Sequence, residues 1–371
     1  MRWLALILAI GAGPALADSL RVATFNASLS RSAPGMVLEA LQREDDAQVA
    51  AVGAILAEVS PDIVLINELD YDLDGRALEA LGTRLAEAGL DLPHRFAEAP
   101  NTGYLTGLDL NGDGSATGPE DAFGWGRFPG QYGMAVLSRL PIAGHRAFRT
   151  LVWADQPDSL IPREAIVGEA LPLLRLSSKS HWDVTIDTPG GPLHLLASHP
   201  TPPVFDGPED LNGRRNHDEI LLWVRYLDGA ALTDDAGRTA PLPDAPVVVL
   251  GDLNADPFDG DARRAALAAL LAHPRLQDPA PESTGAAEAA TRQGGFNARH
   301  RGPAAQDTAD WNDRRGPGNL RVDYVLPSAD LRVTGAGVFW PAPGEPGAEW
   351  IGTGRPVSSD HRLVWVDIAF D

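Results

Sequence analysis

Residues 246–254 read Pro-Val-Val-Val-Leu-Gly-Asp-Leu-Asn, an apolar run that ends in two polar side chains. A short run rich in β-branched residues predicts a buried β-strand. Asp252 and Asn254 lie two positions apart, so in an extended chain they point to the same face and can address one metal ion or one phosphate group. The alternative is that residues 251–254 form only a turn.

Polar side chains stand at the ends of the other apolar runs as well. They are Asn26, Glu68, His199 after "LHLLAS", Asp323 within "RVDYVLPS", and the pair Asp360 and His361 before the last run. In layered α/β folds, sites form at the rims of the sheets. Carboxylate and amide oxygens suit a hard divalent ion such as Mg2+, Mn2+ or Ca2+. Any one of these residues alone could simply cap a turn, but together they predict a metal or proton-transfer site.

Between these ends, strand patterns alternate with helical periodicity. The predicted strands are 20–28, 62–70, 132–142, 171–176, 181–187, 193–198, 246–254, 321–328 and 361–370, and the predicted helices are 34–59, 77–89, 216–229 and 261–272. The Pro/Gly-rich segments 100–131, 200–213, 235–246, 279–320 and 341–356 are predicted to be loops. This mixture favours a layered α/β architecture with mixed sheets faced by helices.

Seven of these segments, taken in order, resemble the endonuclease/exonuclease/phosphatase superfamily of metal-dependent phosphoesterases, the deoxyribonuclease-like enzymes among them. They are "ATFNAS", "IVLINELD", "YGMAVLSRLPI", "LLASHPTPP", "VVVLGDLNADP", "LRVDYVLPS" and "SSDHRLV". The resemblance implies a four-layer α/β sandwich, two packed mixed β-sheets flanked by helices. It also implies that residues 18–371 form a single domain.

The resemblance further implies roles for the polar residues. Asn26 and Glu68 resemble the metal-binding pair, with Asp360 close by, and Asp252 and Asn254 resemble the groups that activate water and bind phosphoryl oxygens. His361 resembles the histidine beside the phosphate, with Asp323 orienting it, and His199 resembles the histidine that protonates the leaving oxygen. The implied ion is Mg2+ or Mn2+, with Ca2+ as an alternative. The chain departs from the deoxyribonuclease-like pattern in "FPGQYG" before Tyr132, where a carboxylate that orients the His199-type residue is missing.

Two further segments supply candidates for substrate binding. Lys179 or His181 in "LRLSSKSHWDV" is expected to reach the substrate, although an exposed hairpin explains this stretch equally well. Arg214, Arg215 and His217 stand at a predicted helix start and could bind an anion there, or the arginines could simply be solvated.

The segment 109–120, "DLNGDGSATGPE", matches the oxygen pattern of a calcium loop. Its ligand positions are filled by Asp109, Asn111, Asp113, Ser115, Thr117 and Glu120, with Gly114 at the sixth position. The flanking Gly and Pro residues exclude the paired helices of a calcium sensor. We therefore predict a structural calcium site within an insertion near 100–131; the alternative is a turn without an ion.

Composition restricts the compartment and the substrates. Residues 1–17 match a secretory signal peptide, which predicts a secreted or periplasmic protein without an integral membrane segment. The chain has no cysteine, so the calcium loop is the predicted clamp for its long loops. A formal net charge of −21 and a single lysine argue against a basic groove for nucleic acid.

The predicted partner is therefore a phosphate ester, either a small molecule or nucleic acid, with no obligate protein partner indicated. A secreted metal-dependent phosphomonoesterase or phosphodiesterase fits these observations. An extracellular nuclease is the first alternative, and a non-catalytic calcium-dependent binding module on the same fold is the second.

Overall fold

A computed structural model of the chain describes residues 19–205, 207–352 and 356–370. The predicted signal peptide, residues 1–17, lies outside the described residues. One sheet has six strands, in spatial order β14 (Arg332–Val338), β15 (Val364–Ala369), β1 (Leu20–Asn26), β2 (Ile63–Asn67), β4 (Met134–Ser138) and β3 (His94–Phe96). Strands β1 and β2 are parallel and the other pairs are antiparallel, so the sheet is mixed.

The second large sheet has five strands. In spatial order they are β13 (Asp323–Pro327), β10 (Val247–Asp252), β7 (Gly191–Ser198), β6 (His181–Thr188) and β5 (Ile142–Ala147). Strands β10 and β7 are parallel, and the remaining pairs are antiparallel. Two short ribbons complete the strands, namely β8 (Leu232–Thr233) with β9 (Thr239–Ala240), and β11 (Ala309–Asp310) with β12 (Asn319–Leu320).

Helices cover the outer face of each large sheet. The core of the six-stranded sheet includes residues of α1 (Met36–Gln42), α2 (Ala47–Val59), α3 (Arg76–Glu87), α6 (Thr284–Gln293) and α7 (Ala348–Ile351). The outer core of the five-stranded sheet includes residues of α4 (Leu211–Leu227) and α5 (Arg264–Leu271). The two sheets pack face to face through β1, β2, β10, β13 and β15. The predicted four-layer α/β sandwich is thus confirmed.

Strand β10 shows why its sequence is apolar at successive positions. Val248 and Leu250 belong to the core between the sheets, whereas Val247 and Val249 belong to the core beneath α4 and α5. Successive side chains of a strand point to opposite faces, and both faces of β10 are buried. A continuous apolar run is therefore required, and it ends where Asp252 reaches the rim.

Two predicted elements were wrong in their extent. The predicted helix 34–59 is two helices, because the Asp46 side chain accepts a hydrogen bond from the Val49 amide (3.0 Å) and starts a new helix there. The predicted strand 132–142 is two strands, β4 and β5, that belong to different sheets. Pro141 lies between them and cannot donate a ladder hydrogen bond.

Two further predictions of secondary structure were wrong. The predicted strand 171–176 is absent from the described structure except for one bridge between Val152 and Arg175. Helix α6 lies inside the predicted loop 279–320, where alanines supply a helical stretch and the Ser283 hydroxyl accepts a hydrogen bond from the Ala286 amide (3.2 Å).

Candidate active site

The carboxyl ends of four strands meet at one rim of the sandwich. Strands β1 and β2 are parallel in one sheet, and β7 and β10 are parallel in the other. Hydrogen bonds join the two sheets there. The side-chain amide of Asn26 donates to Asp252 Oδ2 (3.0 Å), and the backbone amide of Asp252 donates to Asn67 Oδ1 (3.3 Å). The polar residues at these strand ends therefore lie close together at one edge of the sandwich, where sites form in layered α/β folds.

Asp252 is the centre of this group and is 1% exposed. Its Oδ1 accepts a hydrogen bond from the Asn254 amide (2.9 Å), and its Oδ2 lies 3.3 Å from His199 Nε2 and 3.7 Å from His361 Nε2. Burial alone would raise the pKa of Asp252, but the charge of His361 and hydrogen bonds from His199 and Asn26 lower it below its usual value. The carboxylate therefore stays ionised.

His361 and Asp323 form a buried pair beside Asp252. His361 Nδ1 lies 2.9 Å from Asp323 Oδ2, which also accepts a hydrogen bond from the Thr308 hydroxyl (2.8 Å). Burial disfavours a charged imidazole, but the carboxylates of Asp323 and Asp252 raise the pKa of His361 well above its ordinary value. His361 is therefore held as an imidazolium. Potential ligand atoms of these three residues lie within 4.8 Å of one another, and in the described part of the chain no other set of three acidic or histidine residues converges this closely.

Glu68 carries a second acidic centre at the same rim. Its backbone is left-handed, with φ 61°, a conformation that non-glycine residues seldom adopt and that is frequent at functional sites. Burial, and then the negative charge of Asp360, raise the pKa of Glu68 to about 7 against the opposing effects of His361, Lys179 and Asn26. Asp360 accepts a hydrogen bond from the Trp311 indole (3.0 Å). Two carboxylates that repel each other, with the amide of Asn26 beside them, form an oxygen donor set that suits a hard divalent cation.

His199 is 2% exposed and contacts the site through Asp252. Burial and the charge of Lys179 lower the pKa of His199 to about 4, even though Asp252 opposes this shift. The ring is therefore neutral at pH 7. Its Nδ1 is buried and has no hydrogen-bond partner among the described residues.

Lys179, the only lysine of the chain, is 6% exposed. Burial lowers its pKa, whereas the carboxylates of Glu219, Glu68 and Asp252 raise it in part. Its ammonium makes no hydrogen bond or ion pair with the described residues. Lysine is rarely buried, and the ammonium of a largely enclosed lysine that makes no hydrogen bond to the described residues is a ready binding point for an anion.

The other predicted substrate-binding residues are engaged by the protein. His181 hydrogen bonds through one ring nitrogen to the Ser177 hydroxyl and donates through the other to the Glu219 carbonyl (2.9 Å). His217 Nδ1 lies 2.9 Å from the Asp218 carboxylate. These imidazoles stabilise the surrounding structure, and we do not include them in the proposed site.

The two arginines at the start of α4 also bind backbone carbonyls. Arg214 donates to Glu209 O (2.9 Å) and Leu160 O (3.3 Å). Arg215 donates to Leu176 O (2.9 Å) and Phe123 O (2.6 Å). Their donors hold loops in place, so neither guanidinium is part of the proposed site.

The calcium-loop candidate lies in an exposed turn of the insertion 100–131. Asp109 accepts hydrogen bonds from the amides of Gly112 (2.7 Å) and Gly114 (2.8 Å), and Asp113 accepts one from Ser115 (2.8 Å). Within the described residues, the loop ends in a short 3-10 turn, Pro119–Asp121. No long helix frames this loop, as its glycines and prolines predict.

Sequence reasoning missed Asn67, Thr308 and Trp311. Asn67 is the last residue of β2, and its side-chain oxygen accepts hydrogen bonds from Thr24 Oγ1 and the Asp252 amide, both at 3.3 Å. An asparagine that directly precedes a predicted site carboxylate at a strand end was a usable signal. Thr308 and Trp311 lie in a segment predicted to be a loop, and no pattern there pointed to the site.

Among the described residues, no helix combines the length and apolar character needed to cross a bilayer. A search of curated protein sequences finds no match. Among solved structures, an endonuclease/exonuclease/phosphatase from Beutenbergia cavernae aligns over 95% of this chain and 72% of its own, with 22% identity and a TM-score of 0.52. A family protein from Leptotrichia buccalis aligns over 95% and 100%, respectively, with 15% identity and a TM-score of 0.51.

These two similarities show the fold. The profile of the Endonuclease/Exonuclease/phosphatase family matches residues 23–361. That range spans the rim residues from both sheets, Asn26 through His361, and nearly the whole described chain. The chain therefore belongs to the Endonuclease/Exonuclease/phosphatase family, whose members hydrolyse phosphate esters.

Proposed function

We propose that this chain is a secreted, divalent-metal-dependent phosphoesterase that hydrolyses a phosphomonoester or phosphodiester by in-line attack of water. The observation that carries this proposal is the chain's only lysine, Lys179. It is buried, its ammonium makes no hydrogen bond or ion pair with the described residues, and it lies in the field of both Glu68 and Asp252. Phosphate-ester hydrolysis requires a group that binds the anionic phosphate next to carboxylates that can hold a metal ion.

The residues that would hold the ion are Glu68 and Asp360, with Asn26 beside them. Burial, and then the charge of Asp360, raise the pKa of Glu68, so a bound cation would stabilise both carboxylates. When bound, Mg2+ or Mn2+ would supply positive charge to the phosphoryl oxygens.

The remaining site residues handle protons and charge. Asp252 stays ionised, so it can accept a proton from the attacking water as the new P–O bond forms and the bond to the leaving oxygen breaks. The imidazolium of His361, fixed by Asp323, faces the same carboxylate and can donate to a phosphoryl oxygen or to the leaving oxygen. His199 is neutral and enclosed, so we assign it to positioning Asp252.

The charge of the chain favours a small substrate. With a net charge of −21, the surface repels a long polyanion, and each phosphate contact on nucleic acid normally needs its own Lys or Arg. Among the described residues, Lys179 is the one buried ammonium at the rim. One such group suits one phosphate.

We also propose that the loop 109–120 binds Ca2+ as a structural ion. Its support is the spacing of six oxygen-bearing side chains. Secretion is proposed from residues 1–17 on sequence alone. We further propose that residues 18–371 form one domain, because the two large sheets pack against each other.

The deciding experiment measures hydrolysis of a phosphomonoester, a small phosphodiester and plasmid DNA in parallel. Each is tested with Mg2+, Mn2+ or Ca2+ and with chelator, using wild type and Asp252→Asn. Metal-dependent turnover of a small ester that the variant loses would support the proposal. Preferred cleavage of DNA would replace it with the nuclease reading. A folded protein that binds Ca2+ but cleaves none of the three would favour the binding module.

A further inference from the structure

The insertion 100–131 is attached to both sides of the candidate site. The Asn101 amide donates to the carbonyl oxygen of Lys179 (2.9 Å), and the Tyr71 amide donates to Gly130 O (2.8 Å). Gly124 is pressed against the same side as Lys179, because a Cβ at this position would lie 1.9 Å from the carbonyl oxygen of Ser178. The base of the insertion therefore spans the chain segments that follow Glu68 and precede Lys179.

Trp125 extends from this base with 46% of its surface exposed. It follows Gly124 directly, and its ring lies 6.1 Å from the ring of Tyr132 at an angle of 36°. Tyr132 lies beside the residues that follow Glu68: its backbone amide donates to Asp70 Oδ1 (3.1 Å), and the Leu69 amide donates to Gly133 O (3.1 Å). Gly124 lies against Ser178, and the ring of Trp125 lies beside Tyr132, so Trp125 stands between the segment before Lys179 and the segment after Glu68.

The indole is held in place but leaves a face uncovered. Its Nε1 donates to Glu120 Oε1 (3.4 Å), the residue that closes the calcium-loop pattern. A large aromatic ring that is half exposed, oriented by a hydrogen bond and a neighbouring ring, can stack on a planar group at little entropic cost.

We infer that Trp125 and Tyr132 form an aromatic wall of the site that binds a planar ring on the organic part of the phosphate ester. This inference rests on the proposed function and specifies its substrate class. The ring could be a nucleobase or an aryl group, because both present a flat π-face. Aliphatic esters would bind only through Lys179 and the metal ion proposed at Glu68 and Asp360.

The test compares the binding of three non-hydrolysable phosphonates of equal charge in the presence of Mg2+. One is a nucleoside 5′-phosphonate, one is benzylphosphonate and one is propylphosphonate. Their inhibition constants are measured against a hydrolysed ester, and their dissociation constants are measured by calorimetry. Wild type is compared with Trp125→Leu, which keeps an apolar side chain, and with Trp125→Phe, which keeps a flat ring.

We expect wild type to bind at least one ring-bearing phosphonate roughly tenfold or more tightly than propylphosphonate. Trp125→Leu should lose this preference without changing its affinity for propylphosphonate, and Trp125→Phe should retain most of it. The ligand that shows the preference separates a nucleobase from a general aryl site. Equal binding of all three by an active wild-type enzyme would overturn the aromatic wall and leave the proposed function intact. Absence of any hydrolysis would overturn the proposed function, while calorimetry would still report on the wall.

Discussion

Replacing Lys179 with methionine should lower activity without lowering stability. Methionine keeps the length and apolar stem of lysine but removes the ammonium. That group is the anion-binding point of the proposed site and has no hydrogen-bond partner among the described residues. A hydrogen bond to a charged group contributes about 1.5–3 kcal/mol. Its loss from the transition state should therefore reduce kcat/KM by roughly 10- to 150-fold.

The expected effect on stability has the opposite sign. Burial lowers the pKa of Lys179 despite three nearby carboxylates, so the ammonium is less stable in the folded protein than in water. Each unit by which that pKa is lowered costs about 1.4 kcal/mol of folding free energy at a pH where the lysine is charged in both states. Lys179→Met removes this cost, so its Tm should equal or exceed that of wild type.

The assay combines steady-state hydrolysis, inhibition by inorganic phosphate and thermal unfolding. Arg43→Met is the matched control, because Arg43 is an exposed cation paired with Asp45 on the surface. The control should show wild-type kinetics, and Lys179→Met should also bind inorganic phosphate more weakly. A folded Lys179→Met enzyme with wild-type kcat/KM would refute the anion-binding role. A loss of activity that tracks a loss of Tm would show that the lysine is structural.

Four further variants test other features of the molecule. Asp252→Asn should reduce kcat on the order of a thousandfold with an unchanged circular dichroism spectrum, and a smaller loss would mean that another group is the base. Burial and neighbouring aspartates raise the pKa of Asp307 to about 8, so the folded state retains a proton that the unfolded state releases near pH 4. Stability should accordingly fall as pH rises between these values, by at most about 1.4 kcal/mol per pH unit, and then level off. The Tm advantage of Asp307→Asn should grow from pH 5 to pH 8, and a constant difference would contradict the raised pKa. Gly124→Ala should cost about 1–3 kcal/mol in urea unfolding, because its Cβ would overlap the Ser178 carbonyl; a neutral result would show that the insertion shifts freely. Ca2+ at about 100 times its Kd should stabilise wild type by about 2.7 kcal/mol but not Asp109→Ala, whereas equal responses would remove the calcium site.

Much of the site could be predicted because a simple rule places polar residues after buried strands. Asp252 follows an apolar run that must be buried on both faces, so its position at a rim is dictated by the strand itself. Asn26 and His199 stand at the ends of similar runs. Parallel pairing brings the end of the Asn26 strand beside that of β2, and the end of the strand before His199 beside that of β10. Their meeting with residues of the other sheet needed the family resemblance, since face-to-face packing leaves no periodic mark in the sequence.

The limits of prediction follow from the same physics. Loop segments are held to the rest of the protein largely by hydrogen bonds to backbone carbonyls and amides. Every residue carries such backbone groups, so these contacts leave no specific pattern in the sequence. Arg215 illustrates this: beside a predicted helix start it reads as an anion clamp, yet its donors go to the carbonyls of Leu176 and Phe123. A guanidinium with five donors can satisfy several carbonyls at once and is therefore used to fix an irregular insertion. Only the folded contacts distinguish that use from phosphate binding.

Lys179 shows the converse case, in which burial gives a weak sequence signal a physical meaning. In the sequence it is one charged residue among serines and is equally compatible with an exposed hairpin. In the structure its burial carries a free-energy cost that nearby carboxylates do not fully offset. In the proposed site, a bound anion would offset this cost and would link the stability of the protein to the binding of a phosphate ester.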